Sequence, residues 1–276
     1  MKILVTGAAG YIGQHLCRML SLNKEYTVLR TDLDMPSEES GMLYERNIRD
    51  PENFIGLRVD AVVHLAALVR IGESVMQPSE YYETNLQGTI NLLRHIDYKN
   101  FIFASTGAAG KPNSPYAYSK LCAEQVVKEL VPEDYTIFRF FNVIGSEGGI
   151  QPTNPDGLFS ALIRASKTKR FYLYGDDYYT QDGSAIRDYV HVNDICLAIY
   201  RAILKPARGI EHLGYGDTTS VLEMVDAFKR ANGVEFEVIH KSRRRGDVES
   251  SYCCVGSDYM SRNYTLEEML VIPKEK

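Results

Sequence analysis

An apolar run that leads straight into regularly spaced glycines opens the chain and constrains its fold most. Residues 2–6 read Lys-Ile-Leu-Val-Thr, glycines follow at positions 7, 10 and 13, and an apolar helical pattern comes next. In such a strand–turn–helix unit the glycines make the tight turn, let a pyrophosphate approach the backbone and let the helix pack on the strand. The helix N-terminus directs its amides at the phosphates. We therefore predict a dinucleotide site with contacts from Gly7, Gly10, Tyr11, Ile12 and Gly13.

A second apolar run, residues 26–32, ends in an acidic residue. A carboxylate at the end of the second strand accepts both hydroxyls of the adenosine ribose and repels a 2′-phosphate. Asp32 therefore predicts NAD rather than NADP as the cofactor. Two alternatives stay open: Asp32 is a solvated loop acid, or Asp34 contacts the ribose instead.

The composition excludes several classes of protein. The chain has 276 residues, enough for one large α/β domain or two smaller ones, and its net charge of −5 argues against binding to nucleic acid. No run of about 18 apolar residues occurs, so no membrane segment is expected. Met1 lies almost on the first strand and the five cysteines show no paired-motif spacing. We therefore expect a reduced, cytoplasmic protein without a zinc site.

Strand patterns and helix patterns alternate along the first half of the chain. They are expected, in order, at 61–66 (strand), 78–95 (helix), 101–105 (strand), 115–130 (helix) and 136–140 (strand). Hydrophobic strands that alternate with helices through right-handed crossovers form a parallel sheet covered on both faces. The sequence therefore predicts an α/β fold, a doubly wound, Rossmann-like parallel sheet.

The composition of the sequence changes at about residue 144, where a loop rich in glycine and proline begins. Beyond it, short helices are expected at 158–169, 192–204 and 220–232, separated by short strands. We interpret residues 1–143 as an NAD-binding domain and residues 144–276 as a smaller substrate-binding lobe. Residues 186–204 are expected to return to the first domain.

Tyr116 and Lys120 lie four residues apart at the start of a helix, so they share one helical face. A fixed ammonium beside a phenol favours the phenolate and lowers the pKa of the tyrosine, which makes it a usable base at neutral pH. Thr106 follows the preceding strand and is expected to place its hydroxyl near the same reacting oxygen. Tyr118 diverges from Lys120 because only two residues separate them. The alternative is an accidental pair on a solvated helix face.

Several later stretches extend this pattern along nearly the whole chain. They occur at 72–75, 81–85, 88–89, 139–142, 175–183, 187–192, 213–216 and 243–247. Together with the glycine turn and the Tyr116–Lys120 pair, they resemble an extended short-chain dehydrogenase/reductase and, more specifically, the UDP-glucose (UDP-galactose) 4-epimerases.

The resemblance implies a role for each matching position. Thr106 hydrogen-bonds the sugar O4, Tyr116 is the base and Lys120 holds the nicotinamide ribose. Asn142 touches the sugar nucleotide, Arg187 and Arg244 bind the diphosphate, and Asp247 binds the uridine ribose. Further NAD contacts are implied at Asn47, Ile48, Leu65, Ala66, Ala67 and Asn85.

The two arginines fit a diphosphate because a guanidinium combines permanent charge with a forked set of donors. Other interpretations remain open for both. Arg187 is alternatively part of an ion pair with Asp182 or Asp188, and the run 243–245 is alternatively a solvated basic loop in which Arg243 or Arg245 is merely exposed.

Three features depart from the family pattern. Val69 stands where the epimerases usually carry a lysine on the nicotinamide ribose, and Ser251 replaces a bulky residue near the sugar. The segment 107–115, between Thr106 and Tyr116, is shorter than usual, so part of the wall beside the sugar is missing. The resemblance therefore implies room for an N-acetylated sugar.

The resulting hypothesis is an NAD-dependent UDP-sugar 4-epimerase that works through a 4-keto sugar. UDP-glucose and UDP-galactose, with N-acetyl forms in addition, are the expected substrates. The alternatives are a related 4,6-dehydratase or decarboxylase and a non-catalytic NAD-binding regulatory protein. A dehydratase needs an Asp-Glu pair after Thr106, where Gly107 and Ala108 stand.

A homodimer is also implied by the resemblance. In that family the helices expected over 82–96 and 116–130 pair with their symmetry mates into a four-helix bundle. Leu92, Val126 and Leu130 are expected to face outward and supply the two-fold interface.

Overall fold

Strands and helices alternate along the chain, as the sequence predicts. The computed structural model describes residues 1–33, 43–45, 47–131, 134–244 and 246–272. The strands are β1 (Lys2–Thr6), β2 (Thr27–Asp32), β3 (Leu43–Glu45), β4 (Leu57–Arg58), β5 (Ala61–His64), β6 (Ile96–Asp97), β7 (Asn100–Thr106), β8 (Tyr135–Phe140), β9 (Asn142–Ile144), β10 (Arg170–Tyr174), β11 (Ile186–Arg187), β12 (Tyr189–His191), β13 (Gly209–Leu213), β14 (Thr219–Ser220), β15 (Glu237–Lys241) and β16 (Ser250–Ser251).

The helices follow the same chain order. They are α1 (Tyr11–Ser21), α2 (Ile71–Met76), α3 (Pro78–Tyr81), α4 (Gly88–His95), α5 (Pro115–Leu130), α6 (Leu158–Thr168), α7 (Val192–Leu204), α8 (Val221–Asn232) and α9 (Leu266–Leu270). A π-helical segment, Tyr82–Gln87, joins α3 to α4, so the helix expected over 78–95 is continuous but changes its winding in the middle. None of the helices in the described residues has the length and apolar character needed to cross a bilayer.

The chain folds into two compact units. The first comprises Met1–Phe140 and Cys196–Glu211, and the second comprises Phe141–Ile195 and His212–Lys276. Strands β11 and β12 pair with β14, β16 and β9 of the second unit. The segment that returns to the first unit therefore begins at Cys196, whereas the sequence places its start at residue 186.

The first unit is built on a sheet whose described strands number seven, in the order β13-β8-β7-β5-β1-β2-β3. The pairs from β8 across to β3 are parallel. The chain runs outward from β1 in both directions, which makes the carboxyl edge beside β1 a topological switch point, the usual place for a ligand in such sheets. Thr6, Asp32, His64 and Thr106 end their strands at this edge.

Helices α4 and α5 cover one face of the sheet and bury the apolar side chains that point to it. Leu4, Val62, Phe101 and Val127 belong to this core. Leu92, predicted to face outward, is fully buried in the same cluster, and that prediction was wrong because its face of α4 packs against the sheet. The other two residues predicted at the dimer interface differ in exposure. Val126 is partly buried against the core, and Leu130 at the end of α5 is 43% exposed.

The second unit has its own apolar core, centred on the aromatic rings of Phe159, Phe228 and Phe236. Helix α8 begins with a capping box in which Ser220 and Glu223 each bond the other's backbone amide, and it ends at Gly233 in the left-handed conformation. Both features satisfy orphan groups at the helix ends. The helices predicted at 158–169 and 220–232 are confirmed to within a residue at either end.

A buried ion pair attaches α5 to the sheet. Glu124 is fully buried and receives two hydrogen bonds from the Arg139 guanidinium on β8, at 2.9 and 2.7 Å, and one from the Ser105 hydroxyl on β7. Buried charges cost desolvation energy unless such partners surround them. The hydrogen bonds therefore fix the position of α5 along the two strands.

Replacing Glu124 alone should destabilise the first unit strongly. Glu124→Leu leaves Arg139 as an uncompensated buried charge, which we expect to lower the free energy of unfolding by about 3–5 kcal/mol. The double variant Glu124→Leu/Arg139→Met should recover most of that loss, because it removes both charges. Urea denaturation measures the difference.

The exposed pair between Arg58 and Asp97 offers a matched control, since both side chains are largely solvated. Asp97→Ala should leave the urea midpoint close to that of the unmodified chain. Equal destabilisation by Glu124→Leu and by the double variant would contradict the electrostatic explanation and point to packing alone.

Candidate active site

The glycine turn brings two backbone segments into direct contact. Gly7 has a φ of +71°, and a Cβ atom there would lie 2.6 Å from the Ala66 nitrogen. A Cβ atom on Gly13 would lie 2.1 Å from the Gly7 oxygen. Only glycine fits either position. Helix α1 starts after Gly10, which has no side chain to cap the first-turn amides, and such an uncapped N-terminus is a ready site for a phosphate.

Asp32 is attached to this turn. One of its carboxylate oxygens accepts a hydrogen bond from the Ala9 amide at 2.9 Å, and the other accepts from the Leu33 amide at 2.8 Å. Each oxygen keeps a further lone pair for a ribose hydroxyl. The competing candidate Asp34 lies outside the described residues.

A cleft of about 410 Å³ lies between the glycine turn, the end of β2 and the loop after β5. Eight of the residues predicted to bind NAD line it: Gly7, Gly10, Asp32, Asn47, Ile48, Leu65, Ala66 and Ala67. Five lining residues were not predicted, namely Thr31, Leu33, Arg49, Leu68 and Thr84. The path of the backbone brings these five residues to the cleft, and no sequence motif marks them as cofactor contacts.

Arg49 holds one wall of the cleft in place. Its guanidinium donates to the Thr84 hydroxyl and to the carboxylate of Glu80, the latter at 2.6 Å. The carbonyl groups of Ile48 and Arg49 both accept hydrogen bonds from the Asn91 amide. The segment that includes Ile48 is thus attached to the helices α3 and α4.

Asn85 does not line the cleft but lies buried behind it, in the π-helical segment. Its amide oxygen accepts from the Leu68 nitrogen at 2.8 Å, and its amide nitrogen donates to the Leu68 carbonyl at 2.9 Å and to the Ser119 hydroxyl at 3.0 Å. Ser119 donates in turn to the Tyr116 carbonyl. Asn85 therefore connects the cleft-lining loop to the start of α5.

Two of the predicted catalytic residues, Thr106 and Tyr116, are hydrogen-bonded to each other at the carboxyl edge of the sheet, in the first unit. Ser114 caps α5 through the Ala117 amide and Pro115 takes the first helical position, which fixes Tyr116 in the first turn. A hydrogen bond to Thr106 lowers the pKa of the Tyr116 phenol, but burial is the larger effect and the net pKa is raised. The lowered pKa predicted for Tyr116 is therefore not found.

Lys120 lies one helical turn further along α5 and is 3% exposed. Its ammonium lies over the face of the Phe103 ring, 4.1 Å from the centroid, where a cation is attracted by the ring. Burial lowers the pKa of Lys120 to about 7, and the nearby charge of Glu124 opposes this. Burial thus disfavours the charged form of Lys120.

In the second unit, Arg187 lies near Arg244 and Asp247, two other residues predicted to bind the substrate. Arg187 on β11 lies opposite Ser251 on β16, and its guanidinium donates to the carbonyl groups of Val248 and Glu249. Partial burial of its carboxyl group raises the pKa of Asp247, while the charges of Arg244 and Arg187 oppose that rise. These three charged groups are thus close enough to interact.

The alternative ion pair for Arg187 is not formed with either proposed partner. Asp188 is fully buried and accepts from the amides of Tyr215, Gly216 and Cys253. The carboxylate of Asp182 accepts from the Ser184 and Ser220 hydroxyls.

Arg244 and Asn142 complete the predicted set. Arg244 stacks on the Tyr174 ring at 3.9 Å, and its neighbour Arg243 forms an ion pair with Asp177 at 2.6 Å. Arg245 lies outside the described residues. Asn142 begins β9 and donates through its side chain to the Asp188 carbonyl.

Comparison with known proteins agrees with this architecture. A curated UDP-glucose 4-epimerase of Haemophilus influenzae is 31% identical over 91% of this chain and 89% of its own length. A solved UDP-glucose 4-epimerase of Bifidobacterium longum, in complex with NAD+ and UDP, superimposes with a TM-score of 0.86 at 30% identity, covering 98% of this chain and 96% of that one.

A second solved structure, a UDP-glucose-4-epimerase from Stenotrophomonas maltophila with NAD and formylated UDP-arabinopyranose bound, gives a TM-score of 0.85 at 27% identity, with coverage of 98% and 96%. The sequence profile of the NAD dependent epimerase/dehydratase family matches residues 3–215, which is most of the chain. The glycine turn, the parallel sheet and the Tyr116–Lys120 helix all fall within that match, and the chain therefore belongs to the NAD dependent epimerase/dehydratase family.

Proposed function

We propose that this protein interconverts a UDP-hexose and its C4 epimer, with NAD as the cofactor. The observation that carries the proposal is the hydrogen bond between Thr106 and the Tyr116 phenol, with Lys120 one helical turn further along α5, at the same sheet edge as the cleft of the glycine turn. The relatives from Haemophilus influenzae and Bifidobacterium longum bear the name UDP-glucose 4-epimerase, which supports this reaction.

The cleft fits NAD. The uncapped N-terminus of α1 suits the pyrophosphate, and Gly7 and Gly13 leave no side chain in its way. Asp32 suits the two ribose hydroxyls and disfavours a 2′-phosphate, so we propose NAD rather than NADP. When bound there, NAD would supply a reversible hydride acceptor for the sugar C4.

The protein's own residues supply the acid–base chemistry. In its phenolate form, Tyr116 accepts the proton of the 4-hydroxyl as the hydride leaves C4, and it gives that proton back when the hydride returns to the opposite face of the 4-keto sugar. The Thr106 hydroxyl, which hydrogen-bonds the phenol, is placed to orient the same oxygen. Lys120 in its charged form favours the phenolate.

The second unit carries the groups proposed for the nucleotide of the substrate. Arg187 and Arg244 suit the two phosphates, and Asp247 suits the hydroxyls of the uridine ribose. Asn142, held by the Asp188 carbonyl, is proposed to touch the sugar nucleotide. None of the five cysteines, all of which are among the described residues, forms a disulfide, and this is compatible with the cytoplasmic location that we propose.

A dehydratase is disfavoured by the turn that follows Thr106. This turn, Gly107–Gly110, consists of glycine and alanine and offers no carboxylic acid to protonate a leaving hydroxyl. A non-catalytic NAD-binding protein has no need for a buried lysine on the same helix face as Tyr116 or for the hydrogen bond between Thr106 and the Tyr116 phenol.

Substitution of the proposed base tests the mechanism. Tyr116→Phe removes the phenolic oxygen and should lower the rate of UDP-galactose conversion by about 10²–10⁴-fold, with NAD binding nearly unchanged. Conversion to UDP-glucose is followed by chromatography without added cofactor. Tyr118→Phe is the matched control, because Tyr118 is 47% exposed and two residues from Lys120. Wild-type activity of the Tyr116 variant, or loss of activity in the control, would show that another group is the base.

The substrate range should include N-acetylated sugars. Ser251 is small and half-buried, and a pocket rejects an extra group mainly by steric clash. We expect turnover of UDP-N-acetylglucosamine as well as UDP-glucose, and selective loss of the former in Ser251→Tyr. Tyr252, 41% exposed on the next position, is the residue to suspect if the unmodified enzyme converts UDP-galactose but leaves the N-acetyl sugar unchanged.

A homodimer built on α4 and α5 is also proposed. Leu130 is 43% exposed, and Tyr82 and Tyr118 add apolar area at 37% and 47% exposure. Light scattering at micromolar concentration should give about twice the chain mass of 31.2 kDa. Leu130→Glu should shift the mass towards that of one chain, and a single-chain mass for the unmodified protein would refute the proposal.

A further inference from the structure

A continuous line of buried hydrogen bonds crosses the carboxyl edge of the sheet beneath the cleft. The Ala66 amide donates to the Thr6 hydroxyl at 3.2 Å, and that hydroxyl lies 2.8 Å from Nδ1 of His64. On the far side of the ring, Nε2 lies 3.0 Å from the Thr89 hydroxyl, which donates to the Asn85 carbonyl at 2.6 Å. Thr6, His64 and Thr89 are at most 1% exposed.

The end of this line determines where each proton lies. A carbonyl oxygen only accepts, so the proton between Thr89 and Asn85 belongs to the Thr89 hydroxyl. That hydroxyl has one proton, so toward His64 it acts as an acceptor, and Nε2 must carry a hydrogen. At the other end, Thr6 accepts from the Ala66 amide through one lone pair and has its own proton to donate to Nδ1 of His64. This arrangement fits a neutral ring with its proton on Nε2.

The surroundings favour the same neutral form. The ring lies against Phe101 and Phe103 and is cut off from solvent. Burial holds the pKa of His64 well below its usual value, and the charge of Lys120 acts in the same direction. A positive charge on this ring would also meet the Thr6 hydroxyl proton.

The line connects the parts of the proposed NAD site. The Ala66 backbone lines the cleft and lies against the Cα of Gly7, so the Thr6 contact sets the spacing between the loop and the glycine turn. At the opposite end, the Asn85 side chain holds Leu68 and Ser119. The His64 ring lies between these two ends, and each of its nitrogens is hydrogen-bonded to a threonine hydroxyl, so the ring cannot turn without breaking a contact.

We propose that His64, held neutral with its proton on Nε2 between Thr6 and Thr89, is a positioning residue that sets the geometry of the cofactor cleft relative to the helix of Tyr116. The inference rests on the proposed function, since it takes the cleft to be the NAD site. His64 acts through Ala66 and Asn85 and need not touch the cofactor.

The protonation state can be read directly in the full-length protein. Nitrogen-15 NMR of histidine-labelled protein, with His64 assigned through its nuclear Overhauser contacts to Phe101 and Phe103, should show the Nε2–H form at every pH between about 6 and 9. A ring that titrates in that range, or that carries its proton on Nδ1, overturns the proposal. This measurement needs no variant, so it stands even where a substitution disturbs folding.

Substitutions of Thr89 test the positioning role. Thr89→Val keeps the shape and removes the acceptor for His64, and it should weaken NAD binding to the cofactor-stripped protein by about tenfold, measured by calorimetry. Thr89→Ser restores the hydroxyl and should restore the affinity. Thr136→Val is the matched control: Thr136 is fully buried in β8 and accepts from the Ala207 amide, so it loses an equivalent hydrogen bond away from the cleft.

The outcomes separate this inference from the proposed function. No binding of NAD by the unmodified protein would refute the proposed function itself. Binding by the unmodified protein together with equal binding by Thr89→Val, or equal weakening in Thr136→Val, would refute the role of His64 alone. Weakening in Thr89→Val with rescue in Thr89→Ser supports it.

Discussion

The contact between the glycine turn and the backbone of Leu65 and Ala66 is the constraint on which the rest of the first unit depends. It is a contact between main-chain atoms, so no side-chain rotamer can relax it and no larger residue can replace Gly7. The end of β1 and the end of β5 are thereby fixed relative to one another. Both the cleft and the hydrogen bonds beneath it follow from that fixed separation.

Helix α5 carries two buried charged side chains, Glu124 and Lys120, and their surroundings differ. Glu124 is matched by a bidentate guanidinium, so its charge is compensated. Lys120, one turn earlier, lies over the face of Phe103, and burial lowers its pKa to about 7 although the charge of Glu124 opposes this. A strongly paired acid therefore anchors the helix, while a weakly compensated cation is left where the chemistry is proposed.

Much of this architecture was predictable from local patterns. Glycine spacing and apolar strands predict the parallel sheet and the turn, because sterics and burial determine both within a few residues. The i, i+4 spacing likewise predicts that Tyr116 and Lys120 share a face. Which face of α4 turns inward was not predictable from the apolar pattern, and Leu92, predicted to face outward, is buried against the sheet.

The pKa of Tyr116 and the contacts of His64 depend on residues far apart in the chain, so the sequence alone could not predict them. The net pKa of Tyr116 depends on how completely the fold excludes water, and no spacing in the sequence measures that exclusion. The hydrogen-bonded line through His64 joins residues from β1, β5 and α4 that are far apart in the chain. The pattern that contains His64 reads as an ordinary buried strand, and only the assembled sheet shows what the ring contacts.

The double attachment of Asp32 has a consequence for redesign of the cofactor preference. The carboxylate that we propose to discriminate between the two dinucleotides also accepts a hydrogen bond from the Ala9 amide of the glycine turn. Replacing it with a small neutral residue to admit a 2′-phosphate would leave that amide without its acceptor and loosen the turn proposed to hold the pyrophosphate. A shift towards NADP therefore requires two changes together: removal of the negative charge, and a new acceptor for Ala9.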